Sequence, residues 1–311
     1  MPHSGRPAYV ATLLTLVMSL VLPVPSSIAG APRCVHDASI HRVTVTADDQ
    51  ANSFQIRRKG NSIEVRHNLR GFDSCDGATV NNTDRVHFVD ETTDGEANLV
   101  IRTASRFTPG WTHENAGRSE IEFNVDTGTL TIRGSVQDDT FIGGTRGLNV
   151  NGDHDVDIRL RGPEVYTVLA QHGDDSVFMD GRRGAGKFDV SDLSPTVYGR
   201  DGDDLLVGSA GPDFMDGGRG NDRMWGRSGR DRLYGDWHND HIIGGEDEDN
   251  LHGGSGSDHV EGSSENDRLR GENGRDHLDG DTGVDDCDGE AGKDTYEDCE
   301  SRESLALRPR S

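Results

Sequence analysis

A glycine and an aspartate recur at nine-residue spacing, with no insertion, from residue 199 to residue 297. The stretch divides into eleven blocks, of which GGRGNDRMW (residues 217–225) is the most regular. Each block opens with a glycine: Gly199, Gly208, Gly217, Gly226, Gly235, Gly244, Gly253, Gly262, Gly271, Gly280 and Gly289. The eighth position is apolar in the first nine blocks. One apolar residue in nine cannot make a core unless successive blocks stack.

The order of residue types within a block predicts a turn followed by a short strand. Glycine allows the positive φ angles of a tight turn. The last three positions alternate between the two faces of a strand, so we expect the eighth residue to be the only one that faces inward. Two blocks then complete one turn of a flattened solenoid, and residues 18 apart lie above one another at about 4.8 Å.

The aspartates at the sixth position of each block should therefore form two columns of like charge. The first column comprises Asp204, Asp222, Asp240, Asp258, Asp276 and Asp294. The second column comprises Asp213, Asp231, Asp249, Asp267 and Asp285. Stacked carboxylates repel one another unless cations lie between them. Calcium suits such columns because it takes roughly six to eight oxygen ligands, including carboxylates and backbone carbonyls.

One ion between each stacked pair gives five calcium sites in the first column and four in the second, or nine at most. The repeat segment holds 27 Asp and Glu residues against 10 Lys and Arg residues, a net charge of −17. We therefore expect this segment to be largely unfolded without metal and to fold as calcium binds. The alternative is a solenoid of Gly and Asp turns that needs no metal.

The sites should differ in strength. The fourth position is usually glycine but is His238, Asp247 and Glu265 in three blocks. The fifth position also looks poorer in the second column, where proline, arginine, glutamate and valine replace the Asp, Asn and Ser of the first. We expect the tightest sites between residues 204 and 258 of the first column and the weakest near Asp249 and Asp267.

The glycines and aspartates in fixed register resemble the RTX (hemolysin-type) calcium-binding nonapeptide repeat of secreted bacterial proteins. The resemblance is close over residues 199–297 and weak over residues 134–198, where GSVQDDTFI and AQHGDDSVF keep an aspartate and an apolar residue. It implies an all-β fold: a right-handed parallel β-solenoid ending in a calcium-bound parallel β-roll of eleven nonapeptides. Residues 298–311 would form a C-terminal cap and tail.

Residues 1–29 have the pattern of a secretory signal peptide. Arg6 precedes an apolar run from Ala8 to Leu22, which Pro23, Pro25 and small residues follow. A membrane anchor is the alternative, but the run is short and ends in prolines, and no other stretch could span a bilayer. We expect the mature protein to be secreted and to lie in the extracellular space or on the cell surface.

Four cysteines follow the signal, and they can pair in three ways. Outside the cell disulfides form readily, and local pairing of Cys34 with Cys75 and of Cys287 with Cys299 is the most economical. A bridge from Cys287, at an inward eighth position, would clamp the last turn and contribute about 3 kcal/mol. No C-x-x-C pair is present, so the cysteines do not indicate zinc.

Residues 34–198 contain short strand-like runs separated by Gly, Asp and Asn, without helical periodicity. The runs are Val43–Thr46, Phe54–Arg57, Ile63–Arg66, Val86–Val89, Leu99–Arg102, Ile121–Val125, Leu130–Arg133, Thr140–Ile142, Val156–Leu160, Val165–Leu169 and Val177–Met179. Their spacing is close to one solenoid turn, so we predict an irregular β-solenoid that leads into the roll. A separate β-sandwich is the alternative. Asp139 and Asp175 are either degenerate calcium ligands or plain turn residues.

No catalytic motif is apparent. His113 and Glu114 lack the second histidine of the H-E-x-x-H motif, and no serine lies in a G-x-S-x-G context. The same polar segment, with Arg118 and Glu120, could still hold the site of a lyase or epimerase. We expect a non-enzymatic calcium-binding protein with a structural or adhesive role; the alternative is a secreted carbohydrate-active enzyme with its site in residues 34–198.

Charge limits the partners. A net charge of −24 argues against nucleic acid. The expected partners are calcium and a cell-surface or matrix polymer, with no membrane span after signal removal, and the expected state is a monomer. His241, His259 and His277 occupy the seventh position of alternate blocks and should stack as an exposed ladder. That ladder either binds a transition metal or is a tolerated surface feature.

Overall fold

Short β-strands stacked in two sheets make up the whole described structure. The computed structural model describes residues 34–38, 42–47, 53–59, 62–67, 73–79, 85–90, 98–102, 122–126, 129–134, 139–144, 147–149, 158–160, 165–180 and 195–304. Every regular element in these ranges is a strand. The described residues therefore contain no helix that could cross a membrane. The strands form one sheet of 14 strands, here sheet 1, and one of 13, here sheet 2.

The part of the chain before residue 181 contributes fourteen strands. They are β1 (Cys34–Asp37), β2 (Arg42–Ala47), β3 (Ser53–Lys59), β4 (Ser62–His67), β5 (Asp73–Thr79), β6 (Arg85–Asp90), β7 (Asn98–Arg102), β8 (Glu122–Asp126), β9 (Thr129–Arg133), β10 (Thr140–Gly144), β11 (Gly147–Asn149), β12 (Ile158–Leu160), β13 (Val165–His172) and β14 (Ser176–Phe178). All eleven strand-like runs of the sequence coincide with or overlap one of them, whereas β1, β5 and β11 were not predicted.

The nonapeptide segment contributes the remaining thirteen strands. They are β15 (Thr196–Asp201), β16 (Leu205–Val207), β17 (Phe214–Arg219), β18 (Arg223–Ser228), β19 (Arg232–Trp237), β20 (His241–Glu246), β21 (Asn250–Gly256), β22 (His259–Ser263), β23 (Arg268–Gly274), β24 (His277–Asp279), β25 (Asp286–Gly292), β26 (Thr295–Glu297) and β27 (Ser301–Ser304). Even-numbered strands from β16 lie in sheet 1 and odd-numbered strands from β15 lie in sheet 2. The chain therefore crosses from one sheet to the other once per block.

Residues 18 apart pair in parallel throughout the roll, as the repeat predicts. In sheet 1, Leu206 pairs with Met224, which pairs with Ile242; in sheet 2, Met215 pairs with Leu233. These inward side chains are fully buried. The expectation that only the eighth residue faces inward is wrong, because the strands run on into the next block. The glycine that opens each block is therefore also buried in the core.

The N-terminal part is an irregular version of the same solenoid. Parallel pairing links β2, β6, β8 and β12 in sheet 1 and β3, β7, β9 and β13 in sheet 2. Antiparallel hairpins interrupt it at β1–β2, β3–β4–β5 and β10–β11–β12. Strand β13 pairs with β15, so both sheets continue into the roll without a break. The solenoid prediction is confirmed, and the β-sandwich alternative is wrong.

A disulfide joins strands near each end of the described structure. Cys34 of β1, in sheet 1, is bonded to Cys75 of β5, in sheet 2. Cys287 of β25 is bonded to Cys299, and both are buried. These are the two local pairings expected from the sequence. Beyond them the chain forms β27, which pairs with β25, so the first residues of the predicted tail are part of sheet 2.

Candidate metal sites

The sixth-position aspartates of the roll are buried, although nothing in their chemistry favours an apolar environment. Those of the first column precede sheet 1 strands and those of the second column precede sheet 2 strands. All are between 1% and 4% exposed except Asp294, in the last block, which is half-buried. A buried carboxylate is costly unless its oxygens are paired. The partners of the two oxygens therefore decide what each column can do.

One oxygen of each aspartate supports the backbone of the neighbouring turn. Oδ1 of Asp222 accepts a hydrogen bond from the backbone N–H of Asp204 at 2.8 Å, and Oδ1 of Asp240 accepts one from Asp222 at 2.8 Å. The second column repeats the arrangement, with the N–H of Asp231 donating to Asp249 at 2.8 Å. Each column is thus a continuous ladder in which every aspartate holds the turn before it.

The other oxygen is buried with no hydrogen-bond partner. This is true of Oδ2 in Asp204, Asp222, Asp240, Asp258 and Asp276 of the first column and in Asp231, Asp249 and Asp267 of the second. Native proteins rarely bury polar atoms without a partner, and the exceptions call for a missing water or ion. Eight such atoms in register point to one repeated ligand.

Block-opening glycines form the wall of the space beside these oxygens. A Cβ added to Gly199 would collide with Oδ2 of Asp204 and approach the carbonyl oxygen of Gly217 in the next turn. The same arrangement recurs at Gly235, beside Asp240. Glycine is required here because any side chain would fill the space beside the carboxylate. The resulting cradle, one carboxylate oxygen and nearby carbonyl oxygens, offers the hard oxygen ligands that calcium prefers.

The pKa values of these carboxyl groups show the cost of burying them without a cation. Burial, together with the charges of adjacent aspartates, raises the pKa of Asp231 to about 9 and those of Asp204 and Asp240 to about 8. For most other members burial raises the pKa to about 7 or about 6: Asp213, Asp222, Asp249, Asp267, Asp258 and Asp276. A divalent cation would remove this penalty by favouring the charged form.

A comparison with known protein families agrees with this geometry. The family model of the RTX calcium-binding nonapeptide repeat, four copies long, matches residues 198–233, 234–268 and 261–296. These residues are therefore similar to RTX calcium-binding repeats over the whole length of the roll. No curated protein sequence matches the chain. The family match covers the roll and leaves the N-terminal part outside it.

At both of its ends, the second column of the RTX roll departs from the regular pattern. Asp213 begins the second column, and its Oδ2 accepts hydrogen bonds from the backbone N–H and the hydroxyl of Ser209, at 2.6 Å and 3.2 Å. At the other end, Glu300 accepts the backbone N–H of Asp285 at 2.6 Å and takes the place of a further aspartate. Asp213 therefore lacks the unpartnered oxygen that Asp231, Asp249 and Asp267 share.

The first column extends further towards the N-terminus than the regular blocks do. Asp175 is 1% exposed, its backbone N–H donates to Oδ1 of Asp204, and its own Oδ1 accepts the N–H of Asp139 at 2.7 Å. It therefore occupies the next place in the ladder, which the sequence left open. The signal was present in AQHGDDSVF, but a 29-residue step to Asp204 hid it from an 18-residue register.

Turn geometry separates the two columns of the RTX roll. In the first column, Gly202 and Gly220 occupy the fourth position with φ of 138° and 141°. In the second, Asp247 and Glu265 hold φ of 78° and 71°, a left-handed conformation that costs a residue with a Cβ about 1–2 kcal/mol. His238, in the first column, is the one such departure there, with φ of 81°.

The fifth position reinforces the difference. In the first column, Asp203 accepts the backbone N–H of Asn221 at 2.7 Å, and Asn239 accepts that of Ser257 at 2.7 Å. In the second column Asn266 accepts the backbone N–H of Val284 at 2.9 Å, but Pro212, Arg230 and Glu248 occupy the earlier places, and Arg230 forms a surface ion pair with Glu248 at 3.1 Å. The first column thus has more regular turns around its aspartates.

The three seventh-position histidines of the RTX roll stack as predicted but are less exposed than expected. His241, His259 and His277 are half-buried, with successive ring centroids 4.8 Å apart. The polar segment containing His113, Glu114, Arg118 and Glu120 lies outside the described residues, as does the predicted signal peptide.

Proposed function

We propose that this chain is a secreted bacterial calcium-binding protein whose repeats hold ions between stacked turns and fold as they bind. The observation that carries the proposal is the series of buried, unpartnered Oδ2 atoms in both aspartate columns. RTX repeats supply the calcium chemistry, and the cradle of glycine backbone and carboxylate supplies suitable oxygens. The role is structural or adhesive, not enzymatic.

The two oxygens of each aspartate carboxylate have different roles, one in holding the fold and one in binding the ion. Oδ1 accepts the backbone N–H of the aspartate one turn earlier and so holds that turn in place. Oδ2 faces the cradle, where it would be a ligand of calcium. The candidate ligands are Asp204, Asp222, Asp240, Asp258, Asp276, Asp294, Asp213, Asp231, Asp249, Asp267 and Asp285. Up to nine ions would fit between them, and bound calcium would neutralise carboxylates that otherwise repel.

We rank the proposed calcium sites by the regularity of the turns that surround them. The run from Asp204 to Asp258 in the first column should bind calcium most tightly, because its fourth and fifth positions give the more regular turns. Asp249 and Asp267 should bind most weakly, since non-glycine residues hold left-handed turns beside them. Asp213 should contribute least at its end of the column, because Ser209 already satisfies its Oδ2.

The proposed location follows from the pattern of residues 1–29 and from the disulfides. The proposed division is a signal peptide at 1–29, an irregular solenoid at 34–198, the roll at 199–297 and a cap and tail at 298–311. The mature chain would act as a monomer, with calcium and a cell-surface or matrix polymer as partners. Extracellular calcium and oxidising conditions suit both the roll and its cystines.

The test is circular dichroism of the calcium-free mature protein during a calcium titration. We expect a cooperative gain of β signal as calcium is added. Asp222→Asn with Asp240→Asn keeps the Oδ1 acceptor but removes two ligand charges, so the midpoint should rise by at least about tenfold. Glu246→Gln with Glu248→Gln is the matched control, because it removes two exposed charges outside the ladders. Equal shifts in both variants, or a calcium-free protein already fully folded, would refute the proposal.

A further inference from the structure

Three side chains on the outer face of sheet 1 form a cluster apart from the aspartate columns. His241, His259 and Glu261 each present a ligand atom, and these atoms lie within 4.8 Å of one another. All three side chains are half-buried. The cluster contains two imidazoles, so its chemistry differs from that of the all-oxygen cradles of the roll.

Strand register brings the cluster together. His241 of β20 pairs directly with His259 of β22, so their rings meet edge to face with centroids 4.8 Å apart. Glu261 follows His259 by two residues and therefore projects from the same face of the sheet. It pairs with Ile243, and the ring of Trp225 lies 6.4 Å from that of His241. The cluster is thus held by rigid strands and bordered by apolar side chains.

The state of the ring nitrogens distinguishes this cluster from other histidines of the roll. Nε2 of His241 is buried and has no hydrogen-bond partner in the described structure. By contrast, Nδ1 of His252 is bound to Glu272 at 3.0 Å, and Nδ1 of His277 to the Thr295 hydroxyl at 2.9 Å. A buried imidazole nitrogen without a partner, beside a second imidazole and a carboxylate, is an arrangement that suits a metal.

We propose that His241, His259 and Glu261 bind a divalent transition metal, with zinc as the best match. Two histidines and one glutamate are a recognised zinc ligand set that leaves a fourth position for water or a partner's side chain. Calcium would not compete, because it prefers oxygen ligands throughout. Tetrahedral coordination needs ligand atoms about 3.3 Å apart, so modest side-chain rotations would close the site. The Ser263 hydroxyl, 3.3 Å from Oε1 of Glu261, orients that carboxylate.

Two neighbouring groups affect the binding of zinc at this cluster. His277, Asp279 and Glu297 form a second group one turn further on, but it has one imidazole and an exposed glutamate. Zinc should therefore prefer the first group. On the other side, Arg223 pairs with His241 and places a positive charge beside the site. Arg223→Gln should consequently strengthen zinc binding.

The experiment measures zinc binding by the full mature chain at saturating calcium, in competition with a chromophoric zinc chelator. Wild-type protein should bind one zinc ion tightly, and His241→Gln or His259→Gln should lower the affinity by at least about tenfold. His252→Gln, a histidine on sheet 2, is the matched control and should leave the affinity unchanged. Circular dichroism in calcium checks that each variant keeps its roll.

Cobalt provides a second readout, because tetrahedral Co²⁺ with nitrogen and oxygen ligands absorbs visible light more strongly than octahedral Co²⁺. The band should appear with wild type and the His252→Gln control and be lost in His259→Gln. Three results would overturn the proposal: no zinc bound at saturating calcium, zinc that calcium displaces, or an equal loss of affinity in the His252→Gln control.

Discussion

The N-terminal part and the roll share two continuous sheets but fill the space between them differently. The largest fully buried side chains, Phe141, Ile56, Ile63, Leu130 and Ile132, all precede residue 142. Among the residues whose burial the structure describes, the buried charged ones all come later, from Asp175 to Asp285. The N-terminal part therefore depends on the packing of large apolar side chains, and the roll depends on its stacked, buried carboxylates. The same backbone path can be held together by either, and only the second should depend on calcium.

Removing calcium should separate the two parts most strongly. The calcium-free roll holds eight buried, unpartnered carboxylate oxygens, so it should lose most of its strand structure, while β2 to β9 keep theirs. Hydrogen exchange measured by mass spectrometry, with and without a chelator, would locate the loss. Peptides from residues 199–297 should exchange fast without calcium, and those from residues 42–133 should change little. Equal loss in both parts would contradict the comparison.

Acid should partly replace calcium in the roll. Burial raises the aspartate pKa values from 3.8 to between about 6 and about 9, so the calcium-free fold binds more protons than the unfolded chain. That stabilisation is complete below pH 3.8 and is lost as the pH rises through 6 to 9. Circular dichroism of dialysed, calcium-free protein should show more β signal at pH 5 than at pH 9. With calcium bound, the trend should reverse because protons then displace the ion.

A pair of double variants compares the two columns within the roll. Asp222→Asn with Asp240→Asn alters the first column, and Asp249→Asn with Asp267→Asn alters the second. The first pair should cost more calcium affinity, because its turns are the more regular. Isothermal titration calorimetry would give both losses in the same buffer. A larger loss from the second pair would reverse the proposed ranking of the sites.

The C-terminal disulfide should matter less than calcium but remain measurable. Cys287 and Cys299 close a short loop, with a sequence separation of 12, and their removal should cost about 3 kcal/mol. Replacing both with serine should lower the denaturation midpoint of the calcium-loaded protein. The Cys34–Cys75 pair offers the matching control in the other part. The effect of the Cys287–Cys299 change should fall on the last turns, β25 to β27.

The smallest effect concerns one turn of the second column. Glu265 holds φ of 71°, so Glu265→Gly should stabilise the calcium-loaded roll by about 1 kcal/mol. The reverse change in the first column, Gly220→Ala, should destabilise it by more. Its φ is 141°, and a Cβ there would collide with the carbonyl oxygen of Gly202. Urea denaturation in the presence of calcium would compare the free energies of unfolding of the two variants. If Glu265→Gly lowered the free energy of unfolding, Glu265 would not be strained in the wild-type protein.

The sequence was sufficient for the roll because every block repeats the same physical requirement. The sequence from Gly199 to Glu297 predicted the register, the two columns and the inward eighth residue, but not that the block-opening glycine is buried as well. It did not predict the role of Oδ1, because a hydrogen bond from Asp204 to Asp222 joins residues whose contact exists only after stacking. Asp175 was left open between calcium ligand and turn residue for a related reason: it precedes Asp204 by 29 residues instead of 18, and only the strand pairing reveals the match.

The N-terminal part was harder to predict because its turns vary in length. Strand positions could be found from apolar alternation, but the hairpins at β3–β4–β5 depend on long-range pairing that no local pattern fixes. The histidine cluster lies between these extremes. Its stacking follows from the 18-residue register, whereas the participation of Glu261 and the unpartnered nitrogen of His241 depend on side-chain placement.

The alternation of the roll between two sheets sets a rule for how such a gene can grow or shrink. Losing eighteen residues removes one complete rung and leaves every later residue beside its former kind of neighbour. Losing nine residues would move every later strand to the opposite sheet, including β25 with its disulfide. Second-column turns would then stack on first-column turns. Insertions or deletions of eighteen residues therefore preserve both columns, whereas those of nine residues do not.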